Sequence, residues 1–190
     1  QVIPIYIGRE RSLKLINELE TKKRYIVVVA QEDGSIEDPK PKDLYSYGTL
    51  AQVLKVFDMP DDSKSAIVQG ISRVKILNYT QLDPYFTAAV QSMEDEPIVD
   101  KIEVEALSNN LRQAFEDLMK VAPNLTEEHS GMLKNIQKPN RLTDRAISVI
   151  TISNQEKQEI LEELNIKERM EKALNLMGRE MQRIKLGEEI

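Results

Sequence analysis

The chain has 190 residues, of which 41% are hydrophobic and 31% charged, and this suffices for one sizeable core or two small ones. The absence of cysteine excludes a disulfide framework, a thiol nucleophile and a thiolate metal site. A net charge of −6, with Lys22–Arg24 as the densest basic run, argues against an electrostatic nucleic-acid binder, and no apolar run reaches the ~18 residues of a membrane span.

The first half of the sequence predicts β structure with one early helix. Leu13, Ile16 and Leu19 recur at helical spacing, and Pro60–Lys64 predicts a five-residue hairpin loop. Tyr25–Ala30 is a continuous apolar run, which is typical of a strand buried on both faces. Four or five strands are predicted from the apolar runs Val2–Ile7, Tyr25–Ala30, Thr49–Met59, Ser65–Tyr79 and Tyr85–Met93, and they favour a small sheet or barrel.

The second half predicts a helical unit, which follows an acidic break at Glu94–Pro97. The first helix should begin after Asp100 and end before Pro123, with one apolar face that includes Ile102, Ala106, Leu107, Leu111, Ala114, Phe115, Leu118 and Ala122. Thr126 and Thr143 are predicted N-caps of two shorter helices. Ser153 with Glu156, and Asn165 with Glu168, have capping-box spacing and predict helices from about Asn154 and Ile166.

The last helix carries an apolar seam. It should run from Lys167 to about Glu189, roughly 30 Å at ~1.5 Å per residue. Its seam residues are spaced as in a coiled coil or a packed helix, and they are Met170, Leu174, Met177, Met181 and Ile184. Methionines at this spacing serve packing more often than contact with varied apolar partners, although both uses are open.

The sequence offers little for catalysis. No phosphate-cradling glycine motif occurs, and His129 is the single histidine, so a zinc site would need carboxylates almost alone. Carboxylate pairs such as Asp61-Asp62, Asp95-Glu96 and Glu162-Glu163 favour solubility over acid–base work. An enzyme that uses carboxylates alone is permitted by these residues but not supported.

Several segments resemble one family. Pro4–Ser12, with the sequence PIYIGRERS, resembles the opening of the N-terminal region of Lon proteases, the ATP-dependent proteolytic machines. Other segments resemble that region in the same order: Val29–Gln31, Asp43–Tyr45 with Gly48–Thr49, Asp58–Asp61, Val68–Gly70 with Arg73, Gln155–Gln158 with Leu161–Glu162, Lys167–Met170 and Glu180–Leu186. Their order and spacing together are specific, and they cover nearly the whole chain.

The resemblance implies an α+β fold. It consists of a small PUA-like β-sheet or barrel over residues 1–95 and a helical subdomain over residues 99–190 that ends in a long helix. The family's first strand would precede Gln1, and its ATPase and Ser-Lys protease modules would follow Ile190. The expected region is therefore non-catalytic, and ATP and Mg belong to the ATPase module rather than to these residues.

The resemblance also implies a role. The region should bind unfolded, damaged or tagged proteins and support a homohexamer of the full-length protein, in the cytoplasm or an organellar matrix, with no membrane or nucleic-acid contact. A dimer of this region through the seam of the last helix is a further expectation that stays open. The expected substrate-contacting residues are Tyr45, Tyr47, Phe57 and Met59, together with Met170, Met177 and Met181. Barrel core is the favoured use of the aromatic residues, and substrate contact is the hypothesis weighed against it. A free-standing β-barrel module that binds RNA or protein is the alternative function.

Overall fold

The computed structural model describes residues 2–19 and 24–188, so Lys22 and Lys23 lie outside it. The described elements are β1 Val2–Ile7, α1 Glu10–Glu18, β2 Tyr25–Val28, β3 Tyr47–Asp58, β4 Lys64–Gln81, β5 Thr87–Met93, α2 Lys101–Val121, α3 Glu127–Lys134, α4 Pro139–Val149, α5 Asn154–Glu162 and α6 Ile166–Glu188. The chain divides into two compact units, Gln1–Glu94 and Asp95–Ile190. The α+β architecture with a long last helix is the predicted one.

The first unit is an antiparallel sheet with one helix. Its strand order is β1-β4-β3-β2, and β5 also pairs with β4. Helix α1 packs Leu13 and Ile16 onto the inner face of the sheet. That face supplies a small core from Ile7, Ala51, Val53, Ala66 and Val68. The hairpin between β3 and β4 has the predicted five-residue loop, placed one residue earlier, at residues 59–63.

Strand β3 contains a bulge at Leu54. Val53 is paired with Val68 and Lys55 with Ile67, so the residue between them has no partner in the ladder. Because side chains alternate along a strand, one extra residue exchanges the two faces beyond it. Val53 and Val56 therefore both contribute to the inner core, although they are three residues apart.

Strand β2 corrects one expectation. Tyr25–Ala30 was expected to be buried on both faces, yet Tyr25 and Val28 are exposed. In the described part of the chain, β2 pairs with β3 along one edge. An apolar run of this length cannot distinguish a central strand from an edge strand, because both tolerate β-branched residues.

The second unit is a helical bundle around an apolar core. Helices α2, α4 and α6 contribute most of this core, including Leu111, Phe115, Leu142, Met170 and Met177. The predicted helix starts at Asn154 and Ile166 are confirmed. The Ser153 hydroxyl accepts a hydrogen bond from the Glu156 backbone amide at 3.1 Å. The side-chain Oδ1 of Asn165 accepts one from the Glu168 backbone amide at 3.0 Å. Within the described residues, no helix is long and apolar enough to cross a bilayer.

Two details of the helical unit differ from the prediction. Ile102 and Ala106 are exposed, and Val104 takes the inward position at the start of α2. Helix α4 begins at Pro139, where a proline costs no backbone hydrogen bond, and not after Thr143. Thr143 is buried inside α4 and donates its hydroxyl to the Pro139 carbonyl at 2.8 Å.

A buried arginine connects the elements of the helical unit. Arg169 is 0% exposed, and its guanidinium donates to the Asp95 carboxylate and to the Glu163 carbonyl at 2.8 Å. Asp144 Oδ1 lies 3.6 Å away, and Asn140 donates to Asp95 at 3.2 Å. A charge is tolerated at such depth only when it is paired and hydrogen-bonded, and these bonds meet that condition.

Candidate functional site

The outer face of the first unit's sheet is the face that α1 leaves uncovered. We define it by the residues that the strand register places there: Val2, Pro4 and Tyr6 on β1, Ser65, Ile67 and Gln69 on β4, Gln52, Lys55 and Phe57 on β3, and Tyr25 on β2. The bulge residue Leu54 adjoins them. An antiparallel sheet with one covered face usually has polar residues on the other. Here apolar and aromatic side chains occupy much of it.

These apolar side chains are accessible. Tyr6 is 66% exposed, Val2 52%, Tyr25 47%, Leu54 45% and Phe57 42%. Exposed apolar residues that stand singly are ordinary, but a contiguous group of them marks an interaction surface. The outer face is such a group, and Gln52 and Gln69 add amides that can bond to a passing backbone.

The aromatic end of the outer face is held in place by the hairpin turn. Tyr6 and Phe57 lie on either side of Ser65 in one row. The Tyr6 ring passes over Gly8, where a Cβ would lie 2.8 Å from Tyr6 Cε1. The Tyr6 hydroxyl donates to Asp61 Oδ2 at 3.3 Å. Two contacts thus position the phenol end of this tyrosine before any partner arrives.

A lysine and a methionine border this end. The Lys55 ammonium lies 4.9 Å from the centre of the Phe57 ring, a cation–π distance. Met59 follows β3, is 40% exposed, and donates its amide to the Ser63 carbonyl at 2.9 Å. The expected residues Phe57 and Met59 therefore lie together on an accessible surface.

Tyr45 and Tyr47 do not join them. Tyr47 and Phe57 are ten residues apart on β3, about 33 Å at ~3.3 Å per residue, and the bulge places them on opposite faces. The Lys75 ammonium lies 5.9 Å from the Tyr47 ring, and the Tyr45 amide donates to the Ala30 carbonyl at 3.0 Å. Both tyrosines are half-buried. The four predicted residues thus form two separate groups.

The seam methionines lie inside the helical unit. Met170 is 0% exposed and Met177 1%, and Met181 is partly buried against the same core. A polypeptide could touch Met170 or Met177 only after α6 left the bundle. These two side chains are therefore not part of an accessible surface in the folded unit, and packing is their observed use.

Sequence reasoning missed Tyr6, Tyr25 and Leu54. The signal for Tyr6 was present, because Ile3, Ile5 and Ile7 alternate with Val2, Pro4 and Tyr6 along one strand. Leu54 could not be assigned to a face, because no sequence pattern announces a bulge. Tyr25 belonged to the run whose exposure was misjudged.

Among the described residues of the helical unit, two clefts have polar side chains in their lining. One of about 290 Å³ lies between α2 and α3, where Arg112 donates to the Leu133 and Ile136 carbonyls and Ser130 donates to Glu116. These polar groups already cap or bridge helices. The other cleft, of about 210 Å³, is lined at one end by the exposed Val99.

Two carboxylates of the helical unit with lowered pKa values are engaged in structural bonds. The Arg179 guanidinium and the Ser153 amide lower the pKa of Glu156 to about 2, and Arg183 lowers the pKa of Glu180. The His129 ring accepts the Thr126 amide at 3.1 Å at the start of α3. Across residues 2–19 and 24–188, no group of three or more His, Asp or Glu side chains is arranged to hold a metal ion.

The chain matches a known family model. Residues 1–179 match the ATP-dependent protease La (LON) substrate-binding domain. The chain is 34% identical over 189 residues to the Lon protease of Anaeromyxobacter dehalogenans and 37% identical over 182 residues to the Lon protease of Koribacter versatilis. The alignments cover 100% and 95% of the chain but 22% of each relative. The matched part is a substrate-binding domain, which is non-catalytic, as expected from the sequence.

Solved structures share the fold. The N-terminal domain of the Mycobacterium avium complex Lon protease superposes with a TM-score of 0.71 at 16% identity, covering 94% of this chain and 90% of that one. The Lon N-terminal domain protein from Xanthomonas campestris gives 0.63 at 16% identity, with 92% and 89% covered. At this identity the likeness concerns the fold alone.

Proposed function

Because the chain belongs to the ATP-dependent protease La (LON) substrate-binding domain family, we propose that it binds exposed apolar segments of unfolded or damaged proteins. The outer face of the first unit is the surface that we assign to this binding. One observation carries the assignment: Tyr6, Phe57, Tyr25 and Leu54 stand uncovered on one sheet face. A folded protein keeps such side chains inside, so an uncovered group of them favours partners whose apolar residues are also uncovered.

The face suits weak binding that tolerates many apolar sequences. Aromatic side chains supply contact area at little conformational cost, and the glutamines can bond to varied backbones. A single face of this size gives modest affinity, because the entropy lost on association offsets most of the free energy gained by burying apolar surface. We propose that the full-length protein is a cytoplasmic homohexamer, in which six copies of this domain lie close together. Several weak contacts then retain one substrate by effective concentration before it is delivered to a motor and a protease.

The test compares one unfolded and one folded form of the same labelled protein. We expect this chain to bind the permanently unfolded form and not the folded form in fluorescence anisotropy. Tyr6→Ser and Phe57→Ser should each weaken binding about fivefold or more, because each removes a central aromatic contact. Leu77→Ser is the matched control, since Leu77 is 56% exposed on β4 but lies twelve residues from Ser65.

Light scattering and circular dichroism should show the same oligomeric state and fold for all three variants. Equal loss of binding in Leu77→Ser and Phe57→Ser would contradict the assignment to the outer face. Equal binding of the folded and unfolded forms would contradict the proposed function itself.

A further inference from the structure

The hairpin turn 59–63 places carboxylates at the aromatic end of the outer face. Asp61 accepts the Tyr6 hydroxyl at 3.3 Å, and Tyr6 shares its row with Phe57. Asp62, the next residue, is exposed and has a φ of 65°. Two carboxylates therefore border the part of the face where the aromatic side chains are most accessible.

The charge of Asp61 is not cancelled by its hydrogen bonds. Ser63 donates to it from the hydroxyl and from the amide, which lies 3.2 Å away, and these neutral donors lower the pKa of Asp61 below its ordinary value. Lys64 pairs with Asp58 at 3.4 Å, and residues 59–63 contain two aspartates and no lysine or arginine, whereas Lys55 keeps its charge beside the Phe57 ring. The exposed tip of the turn is therefore negative at neutral pH.

We propose that the outer face selects polypeptide segments in which a lysine or arginine lies within two residues of an aromatic or large aliphatic residue. This inference rests on the proposed function. In an extended segment, a residue two positions along lies about 7 Å away on the same side. A cation there reaches Asp61 or Asp62 when the apolar side chain packs on Tyr6 or Phe57. Complementary charge at the rim fixes which segments bind and in which orientation.

Three labelled peptides test the charge preference. They share one aromatic and aliphatic core, and lysine, glutamine or glutamate flanks that core. We expect the lysine peptide to bind about two- to fivefold more tightly than the glutamine peptide, and the glutamate peptide to bind most weakly, because exposed ion pairs are weak. The differences should shrink at 0.5 M salt, where the Debye length is about 4 Å.

The variant Asp61→Asn with Asp62→Asn removes the charges and preserves the turn. Asparagine retains an oxygen for Ser63 and tolerates a positive φ. We expect equal affinities for the three peptides in this variant. The comparison is made among the three peptides, because Asp61 also accepts the Tyr6 hydroxyl and its replacement affects the binding of all three alike. The matched control is the double variant Glu32→Gln with Glu37→Gln, which removes two exposed carboxylates between β2 and β3. This control should keep the preference for the lysine peptide.

The outcomes separate this inference from the function on which it rests. Equal binding of the three peptides by the unmodified protein would overturn the charge preference and leave the proposed function in place. No binding of any peptide would overturn both. A concentration-dependent dimer that Phe57→Ser abolishes would overturn the inference too, because the face would then be an interface between copies.

Discussion

The two units place their apolar residues differently. The helical unit encloses Met170, Met177 and Phe115 in a continuous core, whereas the sheet unit closes one face with α1 and leaves aromatic residues on the other. Helices in a bundle cover each other on several sides, while a small sheet with one helix has only one covered face. Residues of the same chemical type are thus structural in the second unit and available for binding in the first.

The first way to break this comparison is to remove the buried arginine of the helical unit. Arg169→Ala should lower the free energy of unfolding by about 3–5 kcal/mol, because it leaves Asp95 and Asp144 near one another without their cation. Urea unfolding measures the change. Lys167→Ala is the control, since the Lys167 and Glu103 side chains are 45% and 41% exposed and water screens their ion pair, so its removal should cost far less. Similar losses in both variants would mean that the buried network is not what holds these helices.

The second prediction compares one apolar residue from each unit. Met177→Ala should cost about 2–5 kcal/mol, because it opens a cavity in the core. Phe57→Ala should lower the free energy of unfolding by about 1 kcal/mol or less, since much of the Phe57 ring is already exposed to solvent. Urea unfolding measures both. Equal losses of stability in the two variants would show that Phe57 is covered as Met177 is, and the comparison between the units would fail.

The smallest predicted effect is a pH dependence in the helical unit. The folded-state pKa of Glu156 is about 2, below its ordinary value of 4.5, mainly because Arg179 donates to it. A depressed pKa contributes stability that is present above pH 4.5 and lost as the pH falls towards 2. Glu156→Gln should therefore lower stability by about 1 kcal/mol at pH 7 and by much less near pH 2.

Urea unfolding at several pH values checks this, with Glu162→Gln as an exposed control on the same helix. A constant difference between Glu156→Gln and the unmodified protein from pH 7 to pH 2 would contradict the assigned ion pair.

Local signals made much of the fold predictable. The capping boxes at Ser153 and Asn165 fixed two helix starts, because they depend only on residues three positions apart. The β3–β4 hairpin followed from Pro60–Lys64 between two β-prone runs. The start of α4 was misplaced because Thr143 and Pro139 both qualify as start signals, and only packing decides between them.

The candidate surface was harder to predict, because it depends on what covers each residue. Phe57 was predicted as a substrate-contacting residue, but the face of the sheet on which it lies depends on the bulge at Leu54. The burial of Arg169 has no local signal, because its partner Asp95 lies 74 residues earlier in the sequence. Met177 and Phe57 are both large apolar residues in the sequence, and only tertiary contacts separate core from surface.

The bulge at Leu54 has a consequence for how this strand can change over time. Residues on the outer face contact few neighbours within the fold, so folding alone places little constraint on the side chains at Lys55 and Phe57, and the proposed binding is what constrains Phe57. Removing Leu54 would leave Val53 opposite Val68 and Lys55 opposite Ile67, because the extra residue has no partner in the ladder. One regular residue inserted between Lys55 and Val56 would instead turn Val56 outward and Phe57 towards the core. Diversified libraries of this strand should therefore tolerate loss of Leu54 and exclude insertions after it.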